Sequence, residues 1–170
     1  KEYLNRITVS SKHLLSLIND ILDMSKIESG KFRLNCTPFK LPEVTEEFLD
    51  IVAPQMRAKH LRFDVCIFDI THEALVGDTL RLSQVLFNLT SNAVKYTPEG
   101  GAVRVSITEM PNEKPGYARL AFEIEDTGIG MSPEFLDHVF DVFERERNET
   151  TNFIQGTGLG MAIVKNTVDM

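Results

Sequence analysis

The chain has few of the residues that build covalent or metal-bound scaffolds. Its 170 residues include no tryptophan and only two cysteines, Cys36 and Cys66. Their separation fits neither a zinc site nor a redox pair, so we interpret both as small apolar core side chains in a reducing compartment. No apolar run is long enough to cross a membrane, and no signal peptide is visible. We therefore predict a cytoplasmic location without membrane contact, although a longer parent protein is free to carry membrane helices upstream.

The chain also lacks an excess of basic residues. It has 18 Lys and Arg against 25 Asp and Glu, which gives a net charge of −7. Nucleic acids and anionic membranes are bound through clustered basic side chains, so we expect neither as a main partner. The length suffices for one domain with a real core and one appended element.

Two short glycine clusters are the most informative part of the sequence. They span Asp126–Met131 and Gly156–Gly160. Neither is a common phosphate loop, because no G-x-x-x-x-G-K-[ST] motif is present and Met161 stands where a G-x-G-x-x-G motif needs its third glycine. A carboxylate before a glycine pair suits the amino group of adenine, and glycines ahead of a helix suit phosphates. The alternative for each cluster alone is an ordinary turn.

A helix predicted between the N-terminal part and the first glycine cluster carries polar residues on one side. Apolar residues recur at three- and four-residue spacing between Asp78, a plausible cap, and Pro98, a stop. Asn88 and Asn92 are four residues apart and Lys95 follows three later, so they share one side. Amide oxygens beside a lysine suit a hydrated magnesium ion and the phosphates that it bridges. Taken alone, a solvated polar stripe is the simpler interpretation.

The order of these motifs resembles the ATP-binding catalytic domain of sensor histidine kinases of two-component signalling. The four ordered boxes of that family match Asn88–Pro98, Asp126–Met131, Phe140–Arg145 and Gly156–Lys165. The stretch from His13 to Gly30 resembles the second helix of the family's dimerisation and phosphoacceptor hairpin. The resemblance implies an α+β fold, a two-layer α/β sandwich of the Bergerat type. In that fold, helices cover one face of a mixed sheet. In this chain we expect a long bundle helix before that domain.

The resemblance implies ATP and Mg²⁺ as cofactors and gives individual residues roles. Asp126 would bind adenine, Asn88 would hold Mg²⁺, and Asn88 and Lys95 would be the catalytic residues. The other residues implied to contact the nucleotide or shape its pocket are Asn92, Tyr96, Gly128, Gly130, Met131, Phe143, Gly156, Thr157, Gly158, Leu159 and Gly160. The polar segment 144–155 would be a mobile lid over the nucleotide.

The residue at position 88 indicates whether ATP is used for phosphoryl transfer or for hydrolysis. In the hydrolytic ATPases of the wider superfamily, a glutamate that activates water commonly stands where this chain has Asn88. An amide cannot act as a general base, because it has no proton affinity near neutral pH. We therefore predict that ATP is held for phosphoryl transfer, which needs mainly positioning and charge neutralisation. Two alternatives stay open, namely an ATPase of the same superfamily and a degenerate kinase that uses nucleotide only to set its conformation.

No histidine of the chain has the sequence context of the family's phosphoacceptor. His13 falls on the second hairpin helix, and His60 and His138 have no suggestive neighbours. His72 precedes a glutamate but not Arg-Thr-Pro, so we interpret it as a loop residue. We expect the acceptor on a helix of the parent kinase that is absent here, and a response regulator as the next partner. Because Lys1 is not an initiator methionine and the family's last strands are missing, we expect a fragment.

The N-terminal stretch carries an apolar stripe suited to a helical bundle. The stripe comprises Leu4, Ile7, Leu14, Leu15, Ile18, Ile21 and Leu22. One helix cannot bury it alone, so we predict a homodimer through residues 1–30 rather than packing onto the chain's own domain. The predicted domains are thus a hairpin helix over 1–30 and a catalytic domain over 31–170 that is truncated before its last strands.

Patterns in the remaining sequence predict further elements. We expect an extended stretch over 31–41, a helix over 42–60 and a strand over 62–70. Alternation over 101–109 and 117–126 predicts a hairpin with one buried face. We predict that core packing is the larger role of four apolar residues, Phe135, Val139, Phe140 and Phe143.

Overall fold

The structure is a computed structural model that describes residues 2–146 and 156–170. In chain order the elements are α1 (Glu2–Glu28), β1 (Thr37–Lys40), α2 (Leu41–Ala58), β2 (Arg62–Phe68), β3 (Ala74–Gly77), α3 (Thr79–Tyr96), β4 (Ala102–Met110), β5 (Arg119–Asp126), α4 (Pro133–Leu136) and α5 (Gly160–Val168). Within α1 the side chains of His13 and Leu4 lie outside the described part.

The strands form a mixed sheet of β2, β4 and β5, with β4 in the centre. β2 pairs with β4 in parallel, and β4 pairs with β5 in an antiparallel register that sets Val103 opposite Asp126. β1 and β3 make a separate antiparallel pair. The hairpin predicted from alternation is therefore confirmed, and the mixed sheet confirms the α+β class.

The core lies on one face of this sheet, under α2 and α3. Alternate residues of β4 point into it, and Val103, Val105 and Ile107 are almost fully buried. The helices contribute Phe48, Val52, Met56, Leu86 and Ala93. Since alternate strand residues face opposite sides, the other face of β4 carries the polar residues Arg104, Ser106 and Thr108.

The contacts within the chain divide it into two compact units. One consists of residues 34–131 and contains the sheet, α2 and α3. The other combines residues 1–33 with 132–170 and contains α1, α4 and α5. The predicted boundary between residues 30 and 31 stays a prediction, and Gly30, with φ of 65°, ends α1 in a left-handed conformation.

Two predictions about side-chain burial are wrong, and one strand was not predicted. Phe140 and Phe143 are exposed rather than packed in a core, because α4 has only four residues and the turns after it present no continuous apolar face. Cys36 is exposed, since it lies outside the strands just before β1. The four residues after the His72 loop form strand β3. Their sequence has no clear alternation of polar and apolar residues, so it does not indicate a strand. Phe135 and Val139 are half-buried.

Candidate nucleotide-binding site

Helix α3 presents the predicted phosphate-side residues in the expected order. Its start is fixed by Asp78, whose Oδ1 accepts a hydrogen bond from the Arg81 N–H at 3.1 Å. Asn88 and Asn92 are half-buried and Lys95 is exposed. One regular helix thus carries both amides and the ammonium along one side, which is a rigid arrangement for polar ligand groups.

The end of α3 is joined to the first glycine cluster. Tyr96 is the last residue of the helix, and its carbonyl oxygen accepts a hydrogen bond from the Ile129 N–H at 3.2 Å. Thr97 follows as the C-cap and is fully buried. The helix end and the glycine loop therefore hold each other in place through main-chain atoms.

Asp126 ends β5 with its carboxylate held from one side. Its Oδ1 accepts from the Gly128 N–H at 2.8 Å and from the Thr97 hydroxyl at 3.4 Å. Within the described part of the chain both bonds go to Oδ1, so Oδ2 remains able to accept a further hydrogen bond. A carboxylate oriented in this way accepts hydrogen bonds and donates none, which suits an exocyclic amine.

Gly128 has no room for a side chain. A Cβ atom there would lie 2.5 Å from Asp126 Oδ1 and 2.7 Å from the Tyr96 carbonyl oxygen. Gly130 needs glycine for another reason, because its φ of 68° is strained for other residues. Met131 and Ile129 beside it are exposed apolar side chains. The cluster thus combines a fixed polar acceptor with apolar surface.

The second glycine cluster lies at the start of α5. Gly158 has φ of 71°, and its carbonyl oxygen accepts a hydrogen bond from the Phe143 N–H at 3.0 Å. A Cβ on Gly158 would come within 2.7 Å of the Phe143 carbonyl carbon. The Thr157 hydroxyl accepts from the Leu159 N–H at 3.0 Å, and Leu159 is buried. Gly160 is the first residue of α5, so the cluster lies at the N-terminal end of this helix, where the helix dipole is positive.

The segment before the predicted lid is held by local contacts. Phe143 adopts φ of 66°, unusual for a residue with a side chain, and 68% of it is exposed. The Lys165 ammonium lies 5.5 Å from the Phe140 ring centre, a cation–π distance. His138 Nδ1 lies 2.8 Å from Asp141 Oδ2, and this hydrogen bond and the charge of Asp141 raise the pKa of His138.

The predicted site residues are divided between the two compact units. Residues 34–131 contain Asn88, Asn92, Lys95, Tyr96, Asp126, Gly128, Gly130 and Met131, while the other unit contains Phe143 and the cluster 156–160. Residues 147–155 of the predicted lid lie outside the described residues.

Sequence reasoning missed a second carboxylate that organises a loop. Glu109 accepts hydrogen bonds from the Thr71 N–H at 2.7 Å, the Thr71 hydroxyl at 2.9 Å and the His72 N–H at 3.0 Å. His72 Nδ1 lies 2.5 Å from the other oxygen. The His72 side chain and these backbone donors lower the pKa of Glu109 from 4.5 to about 2. Glu109 and His72 are 37 residues apart in the chain, so no local sequence pattern indicates their contact.

Two family models match the chain. Residues 77–170 match the model described as histidine kinase-, DNA gyrase B- and HSP90-like ATPase. Residues 1–30 match the model of the His kinase A phospho-acceptor domain.

Individual proteins are similar over nearly the same range. The sensor protein GacS of Pseudomonas syringae pv. syringae is 41% identical over 168 residues, which cover 99% of this chain and 18% of GacS. A crystal structure of full-length ShkA in complex with AMPPNP is 27% identical, with a TM-score of 0.76 over 99% of this chain and 33% of that one. Histidine kinase ThkA in complex with the response regulator TrrA is 26% identical, with a TM-score of 0.60 over 85% of this chain and 40% of that one.

The chain spans about a fifth of the length of the curated relatives it matches. None of the described helices combines the length and apolar character that a membrane crossing requires.

Proposed function

The chain belongs to the family of histidine kinase-, DNA gyrase B- and HSP90-like ATPases, and from this premise we propose that it is the ATP-binding catalytic domain of a sensor histidine kinase. It would position Mg-ATP so that the γ-phosphoryl group passes to a histidine of the parent kinase. The phosphoryl group would then pass to an aspartate of a response regulator in two-component signalling. The His kinase A match over residues 1–30 supports this choice within the family.

The observation that carries the proposal is the fixed carboxylate of Asp126. Two donors, the Gly128 N–H and the Thr97 hydroxyl, hold Oδ1. We propose that Oδ2 accepts a hydrogen bond from the amino group of adenine. Guanine has a carbonyl oxygen at the corresponding place, and a carboxylate repels an acceptor, so the site would select ATP over GTP.

The polar side of α3 suits the phosphate end of the nucleotide. Asn88 supplies an amide oxygen, the hard ligand type that Mg²⁺ prefers, and the ion commonly completes its shell with phosphate oxygens and water. Asn92 and the Lys95 ammonium would contact phosphate oxygens. When bound, the magnesium ion would neutralise phosphate charge, while Asn88 and Lys95 are the residues that we assign as catalytic.

The remaining proposed contacts involve the two glycine clusters and nearby apolar side chains. We assign phosphate contacts to Thr157, Gly158 and Gly160 at the start of α5, where a helix N-terminus attracts anions. In residues 34–131, Tyr96 would contact phosphate or ribose, Gly130 and Met131 would lie against the nucleotide, and Gly128 would allow close approach of the ring. In the other unit, we assign nucleotide contacts to Phe143, Gly156 and Leu159.

The residue types favour transfer over hydrolysis. Asn88 cannot take a proton from water, so no general base stands at this position. The acceptor histidine would come from the first helix of the parent's phosphoacceptor hairpin. We propose that residues 1–30 are the second helix of that hairpin and that residues 31–170 are the catalytic domain. Homodimerisation would occur through 1–30.

Calorimetric titration of ATP tests the pocket directly. We expect binding that strengthens with magnesium and that is at least about tenfold weaker for GTP, the size of one charged hydrogen bond. The Asn88→Ala variant should bind ATP but lose the magnesium dependence. Equal affinity for ATP and GTP would refute the role of Asp126, and unchanged magnesium dependence in Asn88→Ala would refute its ligand role.

A second experiment separates the kinase from the two alternative functions. A phosphoacceptor hairpin of a relative such as GacS is added to this chain with ATP, and histidine phosphorylation and phosphate release are measured together. Phosphorylation of the hairpin with little phosphate release supports a kinase. Steady phosphate release without the hairpin supports an ATPase, and ATP binding with neither reaction supports a degenerate module.

A further inference from the structure

The C-terminal end of α3 poses a hydrogen-bonding problem that its own sequence cannot solve. The last four carbonyl groups of a helix have no partner within it. If the helix continued, the Val94 carbonyl would accept a hydrogen bond from the N–H of residue 98. Residue 98 is a proline, which has no N–H. The proline also drives Thr97 into an extended conformation, with ψ of 125°, so the helix cannot continue.

All four carbonyls nevertheless have donors. The Ala93 oxygen accepts from the Thr97 N–H at 3.0 Å, and the Tyr96 oxygen accepts from the Ile129 N–H at 3.2 Å. The remaining two are served by one side chain from another element. The Lys59 ammonium lies 2.5 Å from the Val94 oxygen and 3.0 Å from the Lys95 oxygen.

The position of Lys59 is fixed by the way α2 ends. Lys59 is the C-cap of that helix, and His60 after it has φ of 53°. The Leu61 N–H donates to the Met56 oxygen at 2.9 Å, and the His60 N–H donates to the Arg57 oxygen at 3.0 Å. These two bonds around a left-handed residue form a Schellman motif, which ends a helix in one defined geometry.

A positive charge at this place is favourable for a second reason. The partial negative charge of a helix is concentrated at its C-terminus, so an ammonium group there is stabilised. Bonds from a charged donor are also stronger than bonds between neutral groups. Lys59 is half-buried, which limits the screening of this contact by solvent.

We propose that Lys59 is a positioning residue for nucleotide binding, acting through the last turn of α3. That turn carries Lys95 and Tyr96, and the Tyr96 carbonyl holds the Ile129 N–H of the first glycine cluster. Without Lys59, two carbonyls lose their donor, the turn loosens, and Asp126 and Gly128 lose the support of a fixed neighbour. This inference rests on the proposed function for its effect on ATP, but the structural coupling does not depend on ATP.

Amide hydrogen exchange tests the coupling without nucleotide. In Lys59→Met, we expect the Ile129 amide to exchange about tenfold faster, while the Val105 amide in the central strand keeps its rate. A merely structural role would speed both amides equally. Lys59→Arg, which keeps a charged donor, should restore the rate at Ile129. The control Lys40→Met removes an exposed ammonium that contacts Glu43 and should change neither amide.

ATP affinity is then measured by calorimetry at a temperature at which all variants are folded. We expect about fivefold weaker binding in Lys59→Met, recovered in Lys59→Arg, for a partial loss of one charged contact. If Lys59→Met does not fold, Lys59→Gln retains a neutral donor and takes its place. Unchanged exchange at Ile129 together with unchanged affinity would overturn the inference. If the unmutated chain binds no ATP, the proposed function fails, and hydrogen exchange alone decides the role of Lys59.

Discussion

Helices α1 and α3 carry similar three- and four-residue apolar patterns but bury them to very different degrees. In α3, Val85, Leu86 and Ala93 belong to the buried core. In α1 the apolar residues Leu14 and Ile18 are exposed, as are the other described members of the stripe, Ile7, Leu15, Ile21 and Leu22. An apolar pattern therefore indicates that a helix needs a partner surface. It does not indicate whether the same chain supplies that surface.

The largest effect should come from removing core volume under α3. Leu86→Ala should destabilise the fold by about 2–5 kcal/mol, because a buried leucine leaves both lost burial and a cavity. Urea unfolding followed by circular dichroism measures this. The matched control is Leu80→Ala on the same helix, where the side chain is 71% exposed and the expected change is within about 0.5 kcal/mol. Equal losses in both variants would contradict the assignment of the buried side.

The second effect concerns the polar side of α3, which ends beside Asp126. Asp126→Asn should weaken ATP binding by about 10- to 100-fold, because an amide places a donor or a weaker acceptor where the adenine amine needs a carboxylate. Calorimetry at neutral pH measures the change. Glu125→Gln is the neighbouring control, since that exposed carboxylate lies 3.5 Å from the Arg104 guanidinium and is not among the proposed nucleotide contacts. A similar loss in the control would point to a general charge effect rather than to a specific contact.

The third effect is a pH dependence of the unit that contains α3. Glu109 has a pKa of about 2 in the folded chain, below its ordinary 4.5, so its contacts stabilise the fold fully above pH 4.5. This stability should be lost progressively as the pH falls from 4.5 towards 2. Glu109→Gln should therefore be less stable than the unmutated chain at pH 7, with a gap that narrows on acidification. Glu113→Gln, in the loop before β5, should show no such gap at either pH.

The smallest effect on stability is expected on the exposed side of α1. The double variant Leu14→Ser/Ile18→Ser should change the unfolding free energy of the monomer by no more than about 0.5 kcal/mol. It should nevertheless reduce self-association in analytical ultracentrifugation, since these residues form part of the proposed dimer surface. Asn19→Ala, an exposed polar position on the same helix, serves as the control. A dimer that persists in the double variant would exclude this surface.

The contrast between the two helices also shows what the sequence reveals. Ordered motifs predict Asp126, Gly128 and the polar side of α3, because each depends on residues close together in sequence. The family assignment from those motifs is confirmed. The roles of individual site residues and the domain boundary at residue 30 stay predictions.

Features formed by distant residues were beyond sequence reasoning. Lys59 meets the Val94 oxygen across 35 residues, and a lysine at a helix end gives no signal of where its side chain points. The contact between Glu109 and His72 is equally remote. Burial of Phe140 and Phe143 was predicted wrongly because single aromatic residues in a short turn region have no periodicity to show which way they face.

The proposed dimer through the exposed apolar side of α1 would make protein concentration a thermodynamic variable for this chain. If a second copy covers that side, folding of the helix is linked to association by mass action, and its apparent melting temperature rises with concentration. Each tenfold dilution then removes about 1.4 kcal/mol of association free energy per dimer. The stability of α3 has no such dependence on concentration, because the core that buries its apolar side belongs to the same chain. Under this proposal the stability of α1 would depend on protein concentration, whereas the stability of α3 would not.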